Sequence, residues 1–107
     1  MDKRLRLHDV VASIIGIIEP DGDRHVYFDP PETVKMRYPC VRYYRKSADA
    51  RYANNSIYKR MTAYELILID KRADSEYIDK LLQLPYCSYE YHYRTDNLHH
   101  DVFTIYI

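Results

Sequence analysis

Ile57-Tyr58-Lys59-Arg60-Met61-Thr62-Ala63-Tyr64-Glu65-Leu66-Ile67-Leu68-Ile69 is a long strand-like run that changes character part-way. Up to Glu65 it mixes polar and apolar residues, as a strand with one wet face does. From Leu66 to Ile69 every residue is apolar. Side chains alternate between the two faces of a strand, so this end is apolar on both. Such an end is buried from both sides, or a bulge sits near the change.

Downstream, Asp70 closes the strand, and Asp74-Ser75-Glu76 starts a helix with an acceptor at its cap and acidic residues in its first turn. Tyr77, Ile78, Leu81 and Leu82 give its apolar face, and Pro85 stops it. Tyr86 to Arg94 alternates, which places Cys87, Tyr89, Tyr91 and Tyr93 on one face and Ser88, Glu90, His92 and Arg94 on the other. Thr95-Asp96-Asn97-Leu98 is a turn, and Asp101 to Ile107 is the last strand, so these two strands form an antiparallel hairpin.

Upstream, Cys40 to Lys46 is a strand with Val41 and Tyr43 on one face and Arg42 and Tyr44 on the other. Residues 47–55 carry no strand pattern and end in an Asn pair that suits a turn. His25 to Phe28 is a short strand, broken by Asp29-Pro30-Pro31. Residues 3–18 form an amphipathic helix with Leu7, Val10, Val11, Ile14, Ile17 and Ile18 on one face. Gly16 weakens its last turn, and Pro20 with Asp21-Gly22-Asp23 ends it. Neighbouring strands usually pair. The expectation is a single α+β domain over residues 1–107. Its sheet has about four to five strands, mostly antiparallel or mixed, with two helices packed on one face. There is no internal repeat.

Composition narrows the function. A chain of 107 residues buries about 65% of its unfolded surface, enough for one modest core. Sixteen basic residues balance sixteen acidic ones, which excludes a generic polycation or polyanion. Hydrophobic residues make up 47%, too many for a disordered chain. The apolar run Val10 to Ile18, interrupted by Ser13, is too short to span a bilayer, and no small-residue cleavage site follows the basic start. Cys40 and Cys87 each sit in a strand-like run, and both are expected reduced and core-facing. With 13 Tyr against 2 Phe and no Trp, the chain favours a side chain suited to surfaces apolar on one side and wet on the other.

The neutral total hides an uneven distribution. Residues 1–34 carry four basic and seven acidic groups, residues 35–60 eight basic and one acidic, and residues 61–107 four basic and eight acidic. The basic middle could be a solvated hairpin whose charges mean little, it could face nucleic acid, or it could complement acidic surface on another copy. Overall neutrality favours self-association.

Catalytic constellations are weak. His99-His100-Asp101 is the densest histidine cluster, but adjacent strand residues point to opposite faces, so His99 and His100 do not share one metal on a regular strand. No spacing matches a structural zinc pattern. A metal-free nuclease site of His92 with Arg94, or His99 with Arg51, has no spacing to select it. Gly16 and Gly22 are not placed to make a nucleophile elbow. No catalytic residue, metal or cofactor is expected.

Several segments together resemble a known family. Tyr38-Pro39-Cys40-Val41-Arg42-Tyr43-Tyr44 leads into Ala48-Asp49-Ala50-Arg51-Tyr52-Ala53-Asn54-Asn55. Leu68-Ile69-Asp70-Lys71 is followed by Asp74-Ser75, and the chain closes on His99-His100-Asp101-Val102-Phe103-Thr104-Ile105-Tyr106. In this order and length, the chain resembles the tail-terminator (tail-completion) proteins of long-tailed bacteriophages. Other small phage neck proteins, such as connector adaptors and stoppers, are similar in size and composition. The resemblance implies a structural virion subunit, assembled in the host cytoplasm into a homohexameric ring. Such a ring caps the tail tube, ends its polymerisation and joins the head–tail connector protein. DNA would pass through it without specific binding, and no enzyme activity and no membrane are implied.

A cyclic ring needs two different patches that meet. Arg42, Arg45, Lys46 and Arg51 are the expected cations of one patch, within a segment that also holds Asp49, and Tyr44, Tyr52 and Tyr58 are its expected anchors. The alternatives from another class are a small nucleic-acid-binding module using this basic block, and a small nuclease or toxin using His, Arg and Tyr.

Overall fold

The computed structural model describes residues 3–47 and 62–107. The elements in chain order are α1 (Lys3–Ile15), β1 (Val26–Phe28), β2 (Cys40–Ser47), β3 (Ala63–Asp70), α2 (Tyr77–Leu82), β4 (Cys87–Thr95) and β5 (Leu98–Tyr106). The strands make one five-stranded sheet in the order β1-β2-β3-β5-β4. The sheet is mixed: β1 runs parallel to β2, and all other neighbours are antiparallel. The expected α+β domain, with two helices on one face of the sheet, is the architecture observed.

β3 lies at the centre, and from Leu66 to Ile69 its exposure is 3% or less on both faces. Leu66 and Leu68 join the helix-side core with Val41, Tyr43, Phe103 and Ile105, under Leu7, Val11, Ala12 and Ile15 of α1 and Tyr77 and Leu81 of α2. Ile67 and Ile69 join a second, smaller core with Cys40 and Val102 on the opposite face. The two apolar faces read from Leu66-Ile67-Leu68-Ile69 therefore reflect double burial rather than a bulge. The part of the expected long strand before Thr62 lies outside the described residues.

Two boundaries move. α1 ends at Ile15, not at residue 18, because Gly16 takes φ +71° and its N–H bonds the Ala12 carbonyl at 2.9 Å. A left-handed residue after the last turn is how many helices stop, and glycine takes that conformation without steric cost. Ile18 is consequently outside the helix and exposed, and Val10 is on its outer side. At the other end of the chain, Asp96 and Asn97 both have positive φ, the geometry of a tight two-residue hairpin turn, so β5 begins at Leu98 rather than Asp101.

The link from α1 to β2 is tied by polar contacts. His25 is buried, its ring Nδ1 donating to the Pro39 carbonyl at 2.8 Å and its Nε2 lying 2.7 Å from a Glu19 carboxylate oxygen. Asp23 accepts from the Tyr27 hydroxyl and the His25 N–H, and the Arg37 guanidinium forks onto Asp21. These contacts fold 19–39 back on itself and bring Met36 and Tyr38 onto the second core.

Double burial of β3 gives a direct expectation. Leu66→Ala and Ile67→Ala should each lower the unfolding free energy by about 3 kcal/mol in urea titrations, since each deletes a filled core position. A loss below about 1 kcal/mol for Ile67→Ala alone would show that the second face is not a core.

Candidate functional site

The sheet face opposite the helices is where the unusual side chains gather. Cross-strand pairing sets the rows: Tyr27, Arg42, Ile67, Val102 and Tyr91 form one, and Cys40, Ile69, His100 and Tyr93 form the next. Tyr44, Glu65, Thr104 and Ser88 form a third. Among the described residues both helices pack on the other face. On this one Met36 and Tyr38 close one end, and Tyr27, Tyr44 and Tyr93 lean over the small core.

Tyr93 and His100 are stacked, with ring centroids 4.5 Å apart and 15° between planes, and Tyr91 lies beside Tyr93 at 5.9 Å. The Tyr44 hydroxyl donates to Glu65 across the strand pair. That bond is the first cause of the Tyr44 pKa rising to about 12, because a phenolate there would face the carboxylate. The Lys46 ammonium reaches the Thr104 hydroxyl at 3.3 Å.

Arg42 is in the middle of this face. Its charge is felt by Cys40, Tyr44, Tyr93 and His100, yet it makes no ion pair among the described residues. Its Nε is buried and has no hydrogen-bond partner. The nearby carboxylate, Glu65, is engaged by Tyr44 instead. A guanidinium offers donors in a planar fork that fits a carboxylate or a phosphate. Desolvating part of it without a counter-charge is costly. The arrangement is thus suited to receiving an anionic group framed by tyrosines.

The sequence-predicted residues divide. Arg42, Tyr44 and Lys46 come together on this face. Arg45 points to the helix side, where it lines a cleft of about 530 Å³ at the sheet edge with Arg4, Phe28, Asp29, Tyr44 and Tyr64. Asp49, Arg51, Tyr52 and Tyr58 lie outside the described residues.

The row expected from Cys87, Tyr89, Tyr91 and Tyr93 is corrected. The register shifts between Tyr89 and Tyr91, so Glu90 is an extra residue in β4. Each residue beyond the bulge turns to the opposite face. Tyr89 stays on the helix side, edge-on to Phe103 and donating to Asp101 at 2.7 Å. Tyr91 and Tyr93 pass to the open face. The strand alternation also separates His99 from His100, as expected: His99 stacks on His92 on the helix side. Tyr91, Tyr93, His100 and Glu65 were not singled out for this face by the sequence. The alternation within Leu98–Tyr106 could have pointed to His100, but nothing in the sequence marks the bulge.

The described residues hold no group of three or more His, Cys, Asp or Glu side chains placed to bind a metal, and none of their helices is long and apolar enough to cross a membrane. Cys40 and Cys87 are free thiols in different cores, and burial raises their pKa values to about 12 and about 11. Comparison of the chain with family models, curated proteins and solved structures finds no significant match.

Burial lowers the pKa of His100, its hydrogen bond to the Leu98 carbonyl opposes this, and Arg42 lowers it further. Burial likewise lowers His8, with Arg4 adding to it. The folded chain therefore binds these protons less readily than the unfolded chain. Stability is complete above the ordinary histidine value of 6.5 and is lost as pH falls from there toward the lowered folded values. The urea midpoint should fall between about pH 7.5 and about pH 5.5, and His100→Gln should make that fall shallower. An unchanged slope in His100→Gln would contradict the assignment.

Proposed function

We propose that this chain is a structural subunit that assembles with copies of itself into a ring of the tail-terminator type in a phage virion. In that role it caps a tail tube and meets a head connector, and it performs no chemistry. The observation that carries the reading is Arg42, partly desolvated and without an ion pair among the described residues, on a tyrosine-rich sheet face that none of the described helices covers. A finished monomer has little use for such a face, whereas an interface supplies its missing counter-charge and cover. The sequence resemblance gives the assembly its class, and the uneven charge gives it two unlike patches. A connector adaptor or stopper would use the same surface in the same neck.

A second reading has its own observation. Tyr44, Tyr91 and Tyr93 beside Arg42 on an open sheet also make the kind of platform on which unstacked bases lie. It is disfavoured by charge, because Arg42 and Lys46 share the face with Glu65 and the whole chain is neutral.

Native mass spectrometry across protein concentration and salt tests the proposal. A discrete closed oligomer, a hexamer for the family type, is the expected result. Charge reversal at Arg45 and Arg51 together should abolish it while circular dichroism stays unchanged. Unaltered assembly in that double variant would remove Arg45 and Arg51 from the interface, and steep salt-dependent oligonucleotide binding by a monomer would favour the second reading.

A further inference from the structure

A head-to-tail ring needs a second patch to receive the Arg42 face, and the helix layer carries a fitting one. Between α1 and α2 lies an open groove of about 620 Å³, lined by Val10, Ser13, Ile14, Lys80, Gln83 and Leu84. Val10 is 41% exposed there, so apolar surface is left in water on the side of the molecule opposite the tyrosines. The groove has an acidic border. Asp79 stands four residues before Gln83 on α2, on the same side of the helix. Asp79 is exposed and has no ion-pair partner among the described residues. The groove's own cation, Lys80, is taken up by Glu76 at 3.9 Å and lies over the Tyr77 ring.

The two patches are complementary in each respect. Among the described residues, one has a guanidinium with no ion pair, the other a carboxylate with none. One carries projecting tyrosines, with Tyr91 56% exposed, and the other a groove with apolar walls. They lie on opposite faces of the same sheet, so pairing them joins one copy to the next and leaves both kinds of patch available at the ends. That is a heterologous contact, which closes into a ring when the rotation allows. A single free carboxylate also matches a single free guanidinium better than a polyanion does.

We propose that the open sheet face of one copy docks on the α1–α2 groove of the next, the Arg42 guanidinium taken by the neighbour's Asp79 and Tyr91 seated against its Val10 and Ile14. This deepens the self-assembly reading and rests on it. Arg42 then gains a carboxylate partner that the described residues do not supply, and the exposed Tyr91 is covered by the neighbour.

A charge-swap cycle tests it, read by sedimentation velocity and native mass spectrometry on the whole chain. Arg42→Glu and Asp79→Arg should each weaken self-association at least about tenfold, and the double variant Arg42→Glu/Asp79→Arg should recover most of it. Circular dichroism and urea unfolding establish that each variant is folded. Asp79→Arg is at an exposed helix position and decides the matter if Arg42→Glu does not fold. Wild-type-like oligomers in a folded Asp79→Arg would overturn this pairing and leave the ring reading standing. Failure of the double variant to recover association that both folded single variants lose would also overturn it. A wild-type chain that remains monomeric at the highest attainable concentration would overturn both. Binding of a poly-dT oligonucleotide by such a monomer, lost in Arg42→Glu, would assign the face to nucleic acid instead.

Discussion

Everything in this molecule follows from a central strand that must be covered twice. Leu66 and Leu68 of β3 face one way, Ile67 and Ile69 the other, and all four are buried. A strand of this composition cannot sit at a sheet edge or with one face in water, because either would leave large apolar side chains exposed. It therefore takes the middle of the sheet, between β2 and β5, and needs a cover on each side. The described chain has only two helices, and both pack on the Leu66/Leu68 side.

The other side is covered by what remains. The 19–39 connection, held by His25, Asp23 and Arg37, brings Met36 and Tyr38 across one end. Beyond that the cover is made of tyrosine rings and an arginine stem. Such side chains shield apolar surface with their bodies while holding a polar tip toward water or a partner. The extra residue Glu90 in β4 makes this possible, since it turns Tyr91 and Tyr93 onto the open face while leaving Tyr89 with the helices. The result is a second, smaller core under a polar aromatic lid, with Arg42 in the lid and no anion among the described residues paired with it.

The fold was legible where a local rule sets the outcome. Leu66-Ile67-Leu68-Ile69 announced its double burial by composition. Val41/Tyr43 and Arg42/Tyr44 separate by strand period alone; the second helix begins later than Asp74-Ser75-Glu76 implies, at Tyr77 with Glu76 at its N-cap and no side-chain cap bond, though the Ser75 hydroxyl accepts from the Tyr77 N–H at 3.3 Å. Gly16 marks a weak last turn in the sequence, but its left-handed conformation ends α1 outright, and the apolar period through Ile17 and Ile18 runs past that stop. The candidate site was less legible. Arg42 and Tyr44 were singled out from the basic segment, yet an unpaired guanidinium is a property of what fails to approach it. Glu65 is diagonal to Arg42 in the strand pair and is held by Tyr44. No periodicity encodes that. A one-residue bulge is equally silent in sequence, and here it decides which tyrosines share the arginine's face.

The most direct test of the central claim is the Arg42 side-chain Nε–H resonance, followed by NMR through a dilution series of the wild-type chain and assigned with Arg42→Lys. If the open face is an interface, that signal moves with concentration in step with oligomer formation, as a neighbour's carboxylate engages the guanidinium beside it. A signal that stays fixed while oligomers form would show that assembly leaves the Arg42 face untouched and contradict the account.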